Sequence, residues 1–503
     1  MRRSILTLCA ALLCFPSTAF AGESLKDVKI PFPKNLGNYV ANRGAAIALG
    51  KALFWDEQVG GDGIQACATC HFHAGSDSRT FNTVNPGSAG QFDIVGGPDE
   101  EIFFSAFPIS NDDVVGSNGV VTTTFDGLSG NAVDLGTPAD NDIFGTSRQV
   151  TGRNSPPVIN AIFDELQFHD GRASDVFNGV DPSGAANQTA HVWKVNRKGK
   201  LRKVRVRLQP ASLASQAVGP PNSDVEMAWS GRSFPELGRK MLGLQPLGQQ
   251  EIALDDSVFE GYVANLPEGG SGNGMGLTLG YDDLIKAAFK KKFWASKDRV
   301  DGEFTQMEAN FSLFWGISIL MYEATLVSDE TPYDNGTLTA HQLFGEEVFN
   351  DHCETCHRAP EFTEAAITNG GSDDFVNIGV RPWQEDNGRG GAEFKTPGLR
   401  NVELTGPFMH NGGFATLRQV VDFYDRGGDF PNDEIEPMGM TNQEKRALVD
   451  FMMALTDERV RTSAAPFDHP QLRIPNGPTL PAVGKNGGGP LLEPFLGLDQ
   501  FAP

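Results

Sequence analysis

Residues 63–75 read GIQACATCHFHAG, and the use made of their two cysteines decides how the rest of the chain is read. Cys67 and Cys70 bracket two spacer residues, and His71 follows at once. The arrangement returns as CETCH, with Cys353, Cys356 and His357. C-x-x-C-H is the attachment signature of c-type haem: two thiols add to the porphyrin vinyl groups and the next imidazole is set beneath the iron as proximal ligand. A zinc site would need four converging Cys/His ligands, and a thioredoxin-like dithiol has no use for the histidine twice. Two covalent haems c are therefore expected, with His71 and His357 on the irons. His73 lies only two residues past His71 and would have to cross to the opposite face to reach the metal, so it is expected behind the ligand or at the surface.

The N-terminus, MRRSILTLCAALLCFPSTAFAGES, opens with Arg2 and Arg3, continues apolar and offers Ala19-Phe20-Ala21 as a small-x-small cleavage site. Residues 1–21 read as a secretory signal peptide, which makes the chain periplasmic or secreted. A membrane anchor is the rival reading, but the apolar segment is short for a spanning helix. Cleavage removes Cys9 and Cys14 and leaves four cysteines, all in the two motifs. Four cysteines in an exported chain usually mean two disulfides; the paired spacing and the histidines say otherwise here. The other strongly apolar run, FSLFWGISILMY (Phe311 to Tyr322), is also too short to span a membrane and reads as a buried core helix.

The chain has 503 residues and a formal net charge of −23. That balance argues against nucleic acid and anionic membranes as partners and is compatible with a basic protein. An N-terminal part carries the first motif and a C-terminal part the second, as in a duplicated unit with insertions. Residues 75–152 are rich in Gly, Asp, Ser and Asn and read as loop with short strands at most. HVWKVNRKGKLRKVRVRLQ (His191 to Gln209) alternates apolar and basic residues about an NRKGK turn, a β-hairpin signal. Its basic face either docks an acidic partner or protects a sheet edge with lysines, the second being the plainer reading. Helices are expected for DDLIKAAFKKKFW after the glycine-rich EGGSGNGMG loop, for EFTQMEANFSLFWGISILMYEAT, and for TNQEKRALVDFMMALTDE, which opens on the capping box Thr441 to Glu444. The Pro/Gly-rich tail after Pro466 reads as an extended wrap.

The stretches LGKALFWDEQVGGDGIQACATCHFHAG, GRNSPPVINAIFDELQFHDGRA, SQAVGPPNSDVEM and KTPGLRNVELTGPFMHNGGFATLRQVVDFYDRGG, with the ALTDERV helix, occur in that order. Together they resemble the bacterial di-haem cytochrome c peroxidase family, MauG-like branch, from about Leu49 to His469. The resemblance implies a mainly α fold of two cytochrome c-like domains with a shared haem interface, plus loop and β-hairpin insertions. The domains would be residues 22–325, the peroxidatic unit, and 326–503, the electron-transfer unit with the extended tail.

The resemblance also implies roles. Glu226, in the EM motif, would face the open side of haem 1, where splitting H2O2 needs a proton carried from one oxygen to the other. Family members often carry a histidine before RNSP that caps the first iron until reduction. This chain has no histidine between His73 and His169, so haem 1 is expected to be permanently open. The family's distal methionine at haem 2 is replaced by Tyr424, as in MauG-like members. A hard phenol oxygen favours ferric and higher states where methionine favours ferrous iron. An ordinary packed aromatic on that helix is what Tyr424 would be without the resemblance. The usual inter-haem tryptophan is replaced by His169 of FHDGRA. A Ca2+ is implied at Asn154 with carbonyls of Thr405 and Pro407, hard oxygen donors suited to calcium.

The expected function is thus a peroxidase that reduces H2O2 at haem 1, while haem 2 passes or stores oxidising equivalents taken from a small redox protein or other electron donor. A MauG-like oxidase modifying a partner protein, a di-haem electron carrier and an O2-using oxygenase remain as alternatives. Neither the donor nor the oligomeric state, a homodimer included, is legible in the sequence.

Overall fold

The computed structural model describes residues 23–264, 273–371 and 375–503. The expected signal peptide and part of the glycine-rich 268–276 loop lie outside the described residues. Regular structure is mainly helical, with small two-stranded sheets. The helices are α1 (Arg43–Trp55), α2 (Ser212–Ala217), α3 (Phe234–Leu242), α4 (Tyr281–Ala288), α5 (Gln306–Ala309), α6 (Phe311–Glu323), α7 (Ala340–His352), α8 (Leu417–Asp425), α9 (Asn442–Met453) and α10 (Glu458–Arg461). None among the described residues is long and apolar enough to cross a membrane.

Two hydrophobic cores are built the same way. In the first, α1 starts where the Asn42 side chain accepts the Ala45 amide, an N-cap that satisfies one of the unpaired amides of the first turn. It crosses α6, every residue of which is buried, as the apolar run foretells. Gly50 permits the crossing: a Cβ there would lie 1.9 Å from the Ser318 carbonyl oxygen. In the second core α7 crosses α9, and a Cβ on Gly345 would lie 2.0 Å from the Ala447 carbonyl oxygen. The expected capping box opens α9, with Thr441 and Glu444 bonded reciprocally. Each crossing brings a C-x-x-C-H motif behind its first helix. Cys67–Cys70 form a 3-10 turn after α1, and Cys353 caps the C-terminus of α7.

The expected helices are shorter than their patterns. α4 stops at Ala288 instead of running on to Trp294. Phe289 turns into the core against Phe314 at 4.8 Å, and the Ala288 carbonyl is taken by the Ala41 amide at 2.7 Å. The segment before the second motif breaks at Asn310, between α5 and α6, because its side chain is spent on Trp193 and the Phe293 carbonyl.

The 75–152 insertion folds as expected, into short antiparallel pairs: β1 (Val84–Asn85) with β2 (Val114–Val115), β3 (Asn118–Val121) with β6 (Arg148–Val150), and β4 (Thr123–Gly127) with β5 (Leu135–Pro138). The basic hairpin also forms, from β7 (Val192–Val195) and β8 (Leu201–Val204). The tail is extended. Phe467, Leu472 and Ile474 pack back into the first core, and Phe495 joins a third cluster with the insertion's Val84, Ile102 and Val115. A fully buried ion cluster seals that return, with Lys51 Nζ 2.8 Å from Asp256 and 3.5 Å from Asp468.

Candidate functional site

Both motif histidines have one ring nitrogen fixed by a backbone carbonyl. His71 Nδ1 lies 2.9 Å from the Gly75 carbonyl oxygen, and His357 Nδ1 lies 3.1 Å from that of Phe362. A carbonyl only accepts, so each Nδ1 is set to carry the proton; the backbone of Pro156 and of Pro397 also acts on the two rings. Burial holds both imidazoles below the usual histidine range, and therefore neutral. The neighbouring thiols behave unlike those of a redox dithiol, which depends on a lowered pKa. Burial pushes Cys70 up to about 11 despite Arg79, and Cys353 up to about 12. Among the described residues no three His, Cys, Asp or Glu side chains cluster to hold a metal ion, so the zinc alternative has no ligand set there. Donor type, tautomer and thiol state fit covalent haem at both motifs.

Glu226 lies in the loop that follows α2, its amide donating to the Ser223 hydroxyl oxygen at 3.3 Å. Burial raises its carboxyl above the usual range, opposed by Ser223 and Arg172. Its charge in turn helps to raise both Cys67 and Cys70, so it lies within electrostatic reach of the first cysteine pair. The insertion clamps its loop. The Val120 amide donates to the Val225 carbonyl at 3.0 Å, and Gln149 Nε2 donates to the Asp224 carbonyl at 2.7 Å. Gly119 runs so close that a Cβ would sit 2.0 Å from the Val225 oxygen. Arg148 secures Gly119 from behind, donating to its carbonyl at 2.5 Å and to Asp62 at 2.7 Å.

Tyr424 stands near the end of α8, a helix capped by Thr416. Burial raises its phenol well above the usual tyrosine range, and the charges of Cys353 and Cys356 raise it further. That coupling places the phenol beside the second cysteine pair. His73 bonds the Glu493 carbonyl of the tail at 2.8 Å, a packing role behind the ligand. Asn154 gives its side-chain nitrogen to Val115 and its amide to His410, whereas the Thr405 hydroxyl bonds Val402. The expected calcium donors share no hydrogen-bonding partner among the described residues.

His169 lies where segments 153–170 and 386–410 meet. Its Nε2 is 2.9 Å from the Asn154 carbonyl, and its ring lies 6.5 Å from His410, which stacks on Phe394 at 3.7 Å. Burial pushes His169 down to about 4 and His410 down to about 3. Arg153 pairs with Asp170 and with Asp386 across the same junction. A cleft lined by Ile159, Phe163, His169, Thr363 and Pro397 opens beside it. His410 was legible only as a letter of the FMHNGG stretch. Glu323 was not legible at all: it closes the apolar α6 beside Cys67, and burial raises it to about 8.

A family model described as di-haem cytochrome c peroxidase matches residues 44–242. Cytochrome-c peroxidase IdrP1 of Denitromonas iodatirespirans is 30% identical over 246 residues, 39% of this chain and 62% of that protein. Methylamine utilization protein MauG of Methylorubrum extorquens is 30% identical over 162 residues, 28% of this chain and 43% of that one. Both alignments take in less than two thirds of the relative's own length. Among solved structures, a MauG-like protein associated with microbial copper homeostasis aligns over 88% of this chain and 97% of its own, at 18% identity and a TM-score of 0.46. The diheme peroxidase BthA of Burkholderia thailandensis covers 84% of this chain and 88% of its own, at 19% identity and a TM-score of 0.38.

Proposed function

We propose that this chain, a di-haem cytochrome c peroxidase homologue over residues 44–242, is an exported peroxidase that converts H2O2, two electrons and two protons into two waters. The observation that carries the reading is a half-buried carboxylate, Glu226, near enough to the first of two C-x-x-C-H sites to raise both its thiols, with each motif histidine's Nδ1 fixed by a backbone carbonyl. When bound, the two haems supply the electron chemistry of peroxide reduction and of exchange with a donor. Cys67, Cys70 and His71 would hold one; Cys353, Cys356 and His357 would hold the other, with Tyr424 as a further residue that would bind it. The repeated helix crossings support two cytochrome c-like units, residues 22–325 and 326–503, meeting at the His169–His410 junction.

Glu226 takes the proton from one peroxide oxygen and returns it to the other, so that the departing oxygen leaves as water. Burial keeps bulk water from competing for that proton and keeps the carboxyl closer to neutral pH than an exposed glutamate. The β3 clamp fixes the loop, so the acid is poised without rearrangement. Calcium between the units belongs to the same proposal, through Asn154 Oδ1 and the carbonyls of Thr405 and Pro407. Its support is that the Asn154 side-chain nitrogen is spent on Val115, which turns the oxygen elsewhere.

Tyr424 favours a second reading, in which oxidising equivalents are stored and spent on a partner protein. A phenol oxygen stabilises the more oxidised states of a metal. The test of the first reading is peroxide consumption by holoenzyme with a reduced donor. Glu226→Gln is expected to lower kcat/KM by about 10²–10⁴-fold, and an unchanged value overturns the role. Oxidised equivalents that persist after peroxide is exhausted and decay on adding a protein substrate would select the second.

A further inference from the structure

The β7–β8 hairpin carries charge of the opposite sign to the rest of the molecule. From Pro182 to Ser223 the sequence holds eight Lys or Arg and no Asp or Glu, in a chain of net charge −23. The register sets Lys194 directly opposite Arg202, a like-charge cross-strand pair that destabilises a hairpin. A third cation source adjoins: burial lowers the Lys292 ammonium below the usual lysine range, and Lys194 and Lys290 lower it further. Arg197, Lys198, Lys200, Arg202, Lys203 and Arg205 are exposed. Arg205 donates to the Gln188 carbonyl instead of to an acid, and Lys203 lies over the Trp193 ring at 5.3 Å. None of the six is ion-paired among the described residues. Lysines that merely guard a sheet edge need no such crowding of one sign, and an acid at any of these positions would relieve it.

The hairpin is also firmly mounted. Trp193 gives its amide to Asn310 Oδ1 at 2.7 Å, and its carbonyl accepts from Asn310 Nδ2 at 2.7 Å and Gln306 Nε2 at 2.8 Å. These residues stand at the head of α6, whose far end carries Tyr322 into the lining of a small pocket shared with His71. We propose that the hairpin face, with Lys290–Lys292, is the docking surface for an acidic protein that exchanges electrons with this chain. The electron exchange rests on the peroxidase reading; the docking does not. A protein fits better than a lipid surface, because no large apolar residue of the hairpin is exposed, and surface-bound membrane elements pair their cations with apolar anchors.

The test measures association of holoenzyme with an acidic c-type cytochrome by stopped flow. A variant combining Lys198→Glu, Lys200→Glu, Arg202→Glu and Lys203→Glu is compared with the wild type. The wild-type rate is expected to fall about tenfold or more between low and high salt, and the variant to lose at least about tenfold at low salt. Peroxide turnover with a small uncharged donor stays unchanged in the variant, which shows that it folds. Equal rates for the two proteins overturn the proposal. So does binding of the wild type to phosphatidylglycerol vesicles in preference to the cytochrome, or salt-sensitive self-association that the substitutions abolish. Loss of peroxide turnover in both proteins with the association difference intact overturns the peroxidase reading and leaves the docking.

Discussion

The two C-x-x-C-H motifs are the same sentence in different surroundings. Cys67 and Cys70 flank Ala68 and Thr69, both buried, and Cys353 and Cys356 flank Glu354 and Thr355, both exposed. The first pair is roofed by an insertion, whose Arg79 reaches Cys70 Sγ at 3.5 Å and whose β3 grips the Glu226 loop; Gln65, just before the motif, reaches the same sulfur at 3.7 Å. The second pair ends a surface helix and has a tyrosine for company. Chemistry at a motif is therefore set by what the fold brings to it. A half-buried acid suits proton transfer to peroxide, and a half-buried phenol suits holding charge.

The comparison breaks hardest if the two sites are interchangeable. Cys67→Ser with Cys70→Ser, and Cys353→Ser with Cys356→Ser, should each remove one haem by mass spectrometry of the exported protein. Only the first pair should abolish the reaction with peroxide itself; the second should stop turnover with a donor while a single encounter with peroxide survives. A chain with no added porphyrin would end the reading altogether.

The next largest effect is the acid limb of the pH profile. Burial raises Glu226, and proton abstraction needs its carboxylate. Wild-type kcat/KM should therefore fall as pH drops through a midpoint above the ordinary glutamate range, and Glu226→Gln should lose that limb together with its rate. Tyr424→Met should raise the midpoint potential of the second haem alone, by a fraction of the about 0.8 V that axial ligands span, as read by spectroelectrochemistry. If both potentials stay put, Tyr424 is a packed aromatic.

Smaller effects test the clamp and the second acid. Gly119→Val should force the Glu226 loop away, at a cost of about 1–3 kcal/mol in stability, and lower kcat with little change in KM. Arg148→Ala should do the same more weakly. Glu323 keeps a proton up to about pH 8 in the folded chain and only to about 4.5 as an ordinary glutamate. Stability should fall as pH rises across that window, and Glu323→Gln should flatten the decline in Tm. Beside the second motif the acids that raise a cysteine are Glu364 and Glu434, at Cys356.

The sequence by itself determined the two C-x-x-C-H turns, the buried α6, the hairpin and the capping box of α9. Each is local: a spacing, a period or a turn signal that neighbouring residues satisfy among themselves. Where the sequence reading overran, at α4 and Asn310, distant partners in the fold had claimed the backbone or side chain that a longer helix would have used. Only the tertiary structure decided that β3 holds the Glu226 loop, that His410 stacks on Phe394 near His169, and that Glu323 is stranded without a counter-charge. Those facts depend on segments tens to hundreds of residues apart, and on a burial that penalises charge whatever the local pattern reads.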